Sequence, residues 1–368
     1  MNDTLQFQTA EENNRTKKVL SIFNVVTFPN TPCGGTSGYN GTCYTASECI
    51  SKGGTASGNC ASSFGVCCIF SLSCGGTTSE NNTYAIISSY SISSDKDPCS
   101  YTVCKLNSDV CKLRIDFDTM VLEGPYATTT AAADGPRLGD CIYDTLTVTN
   151  PGGPSPPVIC GYNTGQHMFI PASSGCNTIN IDIDTGTTTT TRKWQMKVTQ
   201  FQCGNQMAPE QDCLQYFTAQ KGTIATFNWD TSATTVANTQ IHLSSQFYDI
   251  CIRRQKSYCS MCLSPQISPA SSTKTASSYG LGSSSDATNS KSAAGSTCTG
   301  LTSQTANTVY GDYIEIANLQ PSIGTAGTIS TSNRLCGAIF DTNPTASTAQ
   351  ATACTFATSF KIGITSSF

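Results

Sequence analysis

Two segments carry the fold: Cys111-Lys112-Leu113-Arg114-Ile115-Asp116-Phe117 and Thr178-Ile179-Asn180-Ile181-Asp182-Ile183. In both, apolar and polar side chains alternate, the period of an antiparallel strand with one face on a core and one in water. Working outward, short runs rich in β-branched and aromatic residues recur at 83–92 (TYAIISSYSI), 144–150 (DTLTVTN), 157–161 (PVICG) and 193–201 (KWQMKVTQF). Turn clusters separate them, so 73–205 reads as an antiparallel β-sandwich. After Cys213 the series recurs as GTIATFNW, FYDICIRR, SYGLG, DYIEIAN, RLCGAIF and SFKIGI, which predicts a duplicated sandwich over 210–368. A Ser/Ala/Thr-rich insertion near 264–297 interrupts the second copy and reads as a mobile loop, a candidate for O-glycosylation. The fold class is all-β.

Composition agrees. Charged residues are 12% of the 368, about half the usual share of a soluble globular chain, with Ser, Thr and Gly in their place. The net charge is −4, and the basic pairs Lys17-Lys18 and Arg253-Arg254 stand alone. No basic stripe suited to nucleic acid exists, and no apolar run is long enough for a membrane-spanning helix.

Cysteine sets the compartment. The chain has 21, clustered from Cys33 to Cys354. Such density persists where thiols oxidise, so a secreted, extracellular protein is expected. Sequons at Asn2, Asn14, Asn40 and Asn81 agree, each with Ser or Thr two positions on. The opening residues (MNDTLQFQTAEENNRTKK) are polar, unlike a secretory leader; a mis-set start or a leader lying upstream is expected.

Residues 1–30 form an N-terminal arm: a polar start, then the apolar stretch VLSIFNVVTF (19–28), read as a strand or docking arm. Over 31–72, Cys33, Cys43, Cys49, Cys60, Cys67 and Cys68 lie among glycines with too little apolar material for a core. Crosslinks must hold this unit together, and six cysteines permit 15 connectivities.

This knot, through GTCYTASEC, GNC and the closing FGVCC, resembles the clip domain of arthropod extracellular proteins. That resemblance implies the pairs Cys33–Cys67, Cys43–Cys60 and Cys49–Cys68. The segments after it resemble CUB domains, extracellular jelly-roll-type sandwiches. The signature is Cys141-Ile142-Tyr143-Asp144-Thr145-Leu146, preceded by Cys74-Gly75-Gly76 and Cys99-Ser100-Tyr101-Thr102-Val103 and followed by Cys160-Gly161. It implies Cys74–Cys99 and Cys141–Cys160. In the second copy Cys213 and Cys251 open the module, Gly311-Asp312-Tyr313-Ile314 stands for the Y-D-x-L strand, and Cys298 and Cys336 flank it. There the resemblance implies Cys213–Cys251 and Cys298–Cys336. The chain as a whole resembles a secreted arthropod CUB-domain protein with an N-terminal clip-like knot.

The remaining cysteines are placed by spacing. A hairpin turning near 186–191 sets position 176 opposite about 201, predicting Cys176–Cys203. Cys104–Cys111 and Cys259–Cys262 are then local pairs. The Cys259-Ser260-Met261-Cys262 motif lacks the second ligand pair of a zinc site and the βαβ setting of a redox pair. Cys354 takes the place of Cys176, with its partner strand expected beyond Phe368. The second sandwich is therefore read as truncated and Cys354 as free, with an intermolecular thiol as the other reading.

No catalytic constellation emerges. His167 and His242 are the only histidines, and no G-D-S-G-G, H-E-x-x-H, G-x-S-x-G or phosphate-binding loop is present. No enzyme is expected. The resemblance implies one cofactor candidate, calcium in the first sandwich, with Glu123 and Asp144 as ligands and Asp184 two residues from the third position; hard oxygens from separate loops suit that ion. In the second copy only Asp312 survives, with Gly282 in the Glu position. The reading is an extracellular, non-catalytic protein- or glycan-binding and adhesion protein of tandem modules. A matrix, cuticle or fibre component capable of self-assembly is one alternative, and the non-catalytic front of a clip/CUB serine protease is another.

Overall fold

The computed structural model describes residues 27–91, 95, 97–127, 138–149, 153–184, 186, 190–210, 212–232, 241–266, 278–281, 293–294, 312–321, 333–336, 340, 351–366. Asn2, Asn14, Cys298, most of the 19–28 stretch and most of the 264–297 insertion lie outside these residues.

The knot comprises β1 (Pro32–Gly34), β2 (Asn40–Tyr44), α1 (Ala46–Ser51), β3 (Thr55–Cys60) and β4 (Gly65–Leu72). Thr45 starts α1 because its hydroxyl accepts the Glu48 N–H while the Glu48 carboxylate returns to the Thr45 N–H, a reciprocal cap. Three disulfides cross this unit: Cys33–Cys67, Cys43–Cys60 and Cys49–Cys68.

The first sandwich follows with β5 (Thr77–Thr78), β6 (Thr83–Ile87), β7 (Cys99–Cys104), β8 (Val110–Val121), β9 (Thr145–Thr149), β10 (His167–Pro171), β11 (Cys176–Asp182) and β12 (Lys193–Gln202). One layer runs β6-β12-β8-β10, the other β5-β7-β11-β9. The alternation in the sequence maps onto burial. Leu113, Ile115 and Phe117 of β8, Ile179 and Ile181 of β11, and Trp194, Met196 and Val198 of β12 all point into the core. Each such side chain contributes about 1.5–3 kcal/mol by leaving water. The Trp194 indole N–H donates to the Tyr101 hydroxyl at 2.9 Å, tying the two layers through the core. The knot's sheet continues into this sandwich: Phe70, Ser71 and Leu72 of β4 pair in parallel with Thr83, Tyr84 and Ala85 of β6.

The second sandwich has β13 (Gln215–Phe217), β14 (Gln246–Ile252), β15 (Met261–Leu263), β16 (Ala293–Ala294), β17 (Tyr313–Ile316), β18 (Leu319–Pro321), β19 (Arg334–Cys336), β20 (Ala353–Thr355) and β21 (Phe360–Ser366). Its layers run β14-β21-β17-β19 and β15-β20-β18. Taken in chain order, these repeat β6-β12-β8-β10 and β7-β11-β9 strand for strand, and β13 joins β14 in parallel as β4 joins β6.

That correspondence corrects several expectations. The strand assigned to a segment beyond Phe368 is β21, which lies between β14 and β17 in the counterpart position of β12, so the second sandwich is not cut short of it. Asp312-Tyr313-Ile314 leads into the counterpart of β8, not of the Y-D-x-L strand β9. Cys176 and Cys203 do not pair, because β11 and β12 belong to opposite layers and do not form a hairpin. Cys176 faces Cys104 across β7 and β11 and is bonded to it, and Cys203 is bonded to Cys111 at the start of β8. The expected Cys104–Cys111 bridge is therefore replaced as well. Cys354 is not free: it is bonded to Cys262, directly opposite it on β15 and β20, which displaces the expected Cys259–Cys262 bridge and leaves Cys259 as an exposed thiol. Cys74–Cys99, Cys141–Cys160 and Cys213–Cys251 are present. Cys336 is disulfide-bonded, and its expected partner Cys298 lies outside the described residues.

Candidate functional site

The end of the first sandwich where β8, β9 and β12 meet brings Glu123, Asp144 and Asp184 together, but their chemistry differs from that of a calcium site. Asp144 is 0% exposed. Its Oδ2 accepts from Arg192 Nε at 2.7 Å and from the Glu123 N–H at 2.7 Å. Its Oδ1 accepts from Arg192 Nη2 at 3.0 Å and from the Asp184 N–H at 3.1 Å. Four donors therefore fill the acceptor sites of one carboxylate. Arg192 Nη2 also donates to the Asp184 carbonyl at 2.9 Å, while the Asp184 Oδ1 turns away to accept the Gly186 N–H. The Asp144 hydrogen bonds raise the Arg192 pKa further above its ordinary value. A calcium ion sits 2.3–2.6 Å from its oxygen ligands in other proteins, and here the guanidinium occupies that side of the carboxylate. Glu123, Asp144 and Asp184 do not fit the ion as donors, and among the described residues no group of three His, Cys, Asp or Glu is arranged to hold a metal.

Both histidines are engaged elsewhere. His167 Nε2 accepts the Tyr216 N–H at 3.0 Å in the junction between the two sandwiches, its ring edge-on to Phe217. Burial, aided by the Arg114 charge, holds its pKa down to about 4. His242 Nε2 lies 2.7 Å from the Asp312 carboxylate, and nearby Ser244 donates to Asp140 rather than to the imidazole. The junction is otherwise a network of side-chain amides. Asn228, at φ 62°, accepts the Tyr162 N–H and donates to the Ile241 carbonyl, while Gln166 donates to the carbonyls of Thr226 and Trp229. Gly161 is required there, because a Cβ would lie 2.0 Å from Asn228 Oδ1 and φ is +74°.

The outer face of β14, β21 and β17 is built differently. Cross-strand rows place Phe247, Thr365 and Tyr313 together, then Asp249, Gly363 and Glu315. Phe247 is 65% exposed. Lys361 pairs with Asp249 at 2.6 Å, and Arg334 pairs with Glu315 at 3.2 Å while lying over the Tyr313 ring at 4.4 Å. Gly363 leaves a cleft of about 430 Å³ between the two carboxylate-bearing strands.

Residues 210–367 match the animal CUB domain family. That span is the second sandwich. The first sandwich repeats the strand order of that span. Similar solved structures include the MASP-1 CUB2 domain bound to Ca2+, at 17% identity and TM-score 0.21 over 36% of this chain and 96% of that one. The CUB1-EGF-CUB2 region of rat MASP-1 is another, at 12% identity and TM-score 0.23 over 81% and 95%. No curated protein matches the chain in sequence.

Sequence reasoning missed two residues in the two sandwiches. Arg192 closes the threonine run before KWQMKVTQF, and nothing in its sequence neighbourhood marks it as buried. Phe247 sits in FYDICIRR, where alternation with Tyr248 and Ile250 already assigns it outward. Of the described sequons, Asn40 is exposed, whereas Asn81 uses its Oδ1 to accept the Gln200 N–H at 2.7 Å.

Proposed function

We propose that the chain is an extracellular, non-catalytic binding protein that docks a protein partner on the open sheet face around Phe247. One contrast carries this reading. On the equivalent face of the first sandwich the aromatic rings are packed away, Tyr84 against the knot's Tyr39 at 4.7 Å, and His167 and Phe169 against Phe217 and Tyr216 of β13. On the second sandwich the same face presents an exposed aromatic ringed by paired charges, the composition of a recognition patch with an apolar anchor and a polar rim. The alternating signs of Asp249, Lys361, Glu315 and Arg334 suit a protein surface of mixed charge. The dense disulfides belong to an oxidising, extracellular setting.

The test is a screen of the purified full chain against arrays of extracellular proteins and of glycans, with Phe247→Asp alongside. A protein ligand whose affinity falls at least about 10-fold in the variant is expected, a typical loss at an aromatic anchor. Unchanged binding by the variant, or binding to glycans alone, would overturn the reading.

A further inference from the structure

We propose that Arg192 serves the first sandwich as a built-in cation, so that the geometry of this loop end is independent of calcium, and that removing the guanidinium uncovers a calcium-responsive set of oxygens: the Asp144 carboxylate and the Asp184 carbonyl. The proposal stands on the geometry of Asp144 and is separate from the docking reading of the second sandwich.

A carboxylate with no exposed surface needs an opposite charge and a full set of donors, or it becomes protonated. In a loop-end site two kinds of partner can meet that need: a divalent ion, or a planar guanidinium offering parallel N–H groups. Arg192 supplies the second, and it lies on the same chain as the site. It also reproduces the crosslinking that a metal provides. Through Asp144 it ties the segment after β8, by the Glu123 N–H, to the connection between β11 and β12, by the Asp184 N–H and carbonyl. The Arg192 carbonyl accepts the Tyr90 N–H at 2.9 Å, which draws in a fourth segment. With the guanidinium gone, both Asp144 oxygens and the Asp184 carbonyl, the three oxygens it now contacts, would face the vacated volume. Oxygen donors of that kind suit a hard cation.

Two measurements on the oxidised full chain test this. In the wild type, hydrogen exchange of the peptides around Glu123, Asp144 and Asp184–Arg192 is expected to be identical in millimolar CaCl2 and in EDTA; calcium-induced protection of those peptides would overturn the proposal without any variant. Arg192→Met is expected to melt about 10 °C lower, the usual consequence of stranding a buried charge. Millimolar CaCl2 should restore about half of that loss, as ligand linkage allows. In Arg192→Met/Asp144→Asn the calcium response should vanish, and in Arg192→Lys, which keeps a point charge, none should appear. An Arg192→Met protein whose melting ignores calcium would also overturn the proposal, since a merely structural arginine predicts a loss that no cation repairs.

Discussion

Cys262 on β15 lies directly across from Cys354 on β20, as Cys104 on β7 lies across from Cys176 on β11, with Cα separations of 4.0 and 4.2 Å. The two bonds close 92- and 72-residue loops at the same position of the same layer. They join corresponding strands of the two sandwiches, and they leave Cys259 outside the pattern.

Alkylation of the unreduced protein is therefore expected to label Cys259 and spare Cys354. Cys354→Ser should cost about 4 kcal/mol, the scale for a crosslink closing a loop of this length, read from denaturant midpoints. Peptide mapping that finds Cys259 joined to Cys262 would contradict the arrangement.

The pKa of His167 is held down to about 4 by burial first and by Arg114 second, against an ordinary 6.5. Between those values the unfolded chain binds a proton that the folded chain refuses. Stability is therefore complete above about pH 6.5 and declines as pH falls toward 4, by about 3 kcal/mol from this group. His167→Gln keeps an acceptor for the Tyr216 N–H and removes the titration. Its stability should vary less with pH across that window, and curves parallel to the wild type would refute the assignment.

Gly161→Ala forces a Cβ onto the Asn228 side-chain oxygen at a backbone angle that L-residues avoid. A loss of about 3 kcal/mol is expected from the clash and the strain together. Calorimetry of the variant should show the sandwiches melting less in concert, because Asn228 belongs to the second sandwich and Tyr162 to the first.

Expressed through a eukaryotic secretory pathway, the chain is expected to carry a glycan at Asn40, beside the cleft of about 560 Å³ that the knot forms with β8 and β12. Asn81 is expected to be the less occupied of the two, since its Nδ2, the atom to which a glycan attaches, donates to the Gln200 carbonyl at 3.5 Å. Glycopeptide mass spectrometry distinguishes the two sites, and higher occupancy at Asn81 than at Asn40 would refute the expectation.

The period-two runs made the strands and their buried faces readable from sequence, because burial of Leu113, Ile115, Ile179 and Ile181 follows from alternation alone. Local bridges such as Cys141–Cys160 were legible through the family resemblance. Cys104, Cys111, Cys176 and Cys203 were not, since their partners depend on which strands share a layer, and that is fixed by long-range pairing with no local signature. The second sandwich was misregistered around Asp312 because several of its strands are only three residues long, too short for a period to show. At the loop end, acidic side chains announced themselves and the arginine did not: a charge that neutralises a site from within the chain looks, in sequence, like any surface arginine.

The parallel ladder from β4 to β6 has a mechanical consequence. Tension applied between the N-terminal arm and the C-terminal end reaches β4 at its start and β6 at its finish. Strands running side by side in one direction are then loaded along their length, so their hydrogen bonds must fail together and not in succession. The Cys33–Cys67 bond delivers load from β1 straight into β4. A pull at the knot is thus passed as shear into the first sandwich, and the knot behaves under force as a rigid handle on that sandwich instead of a tethered bead.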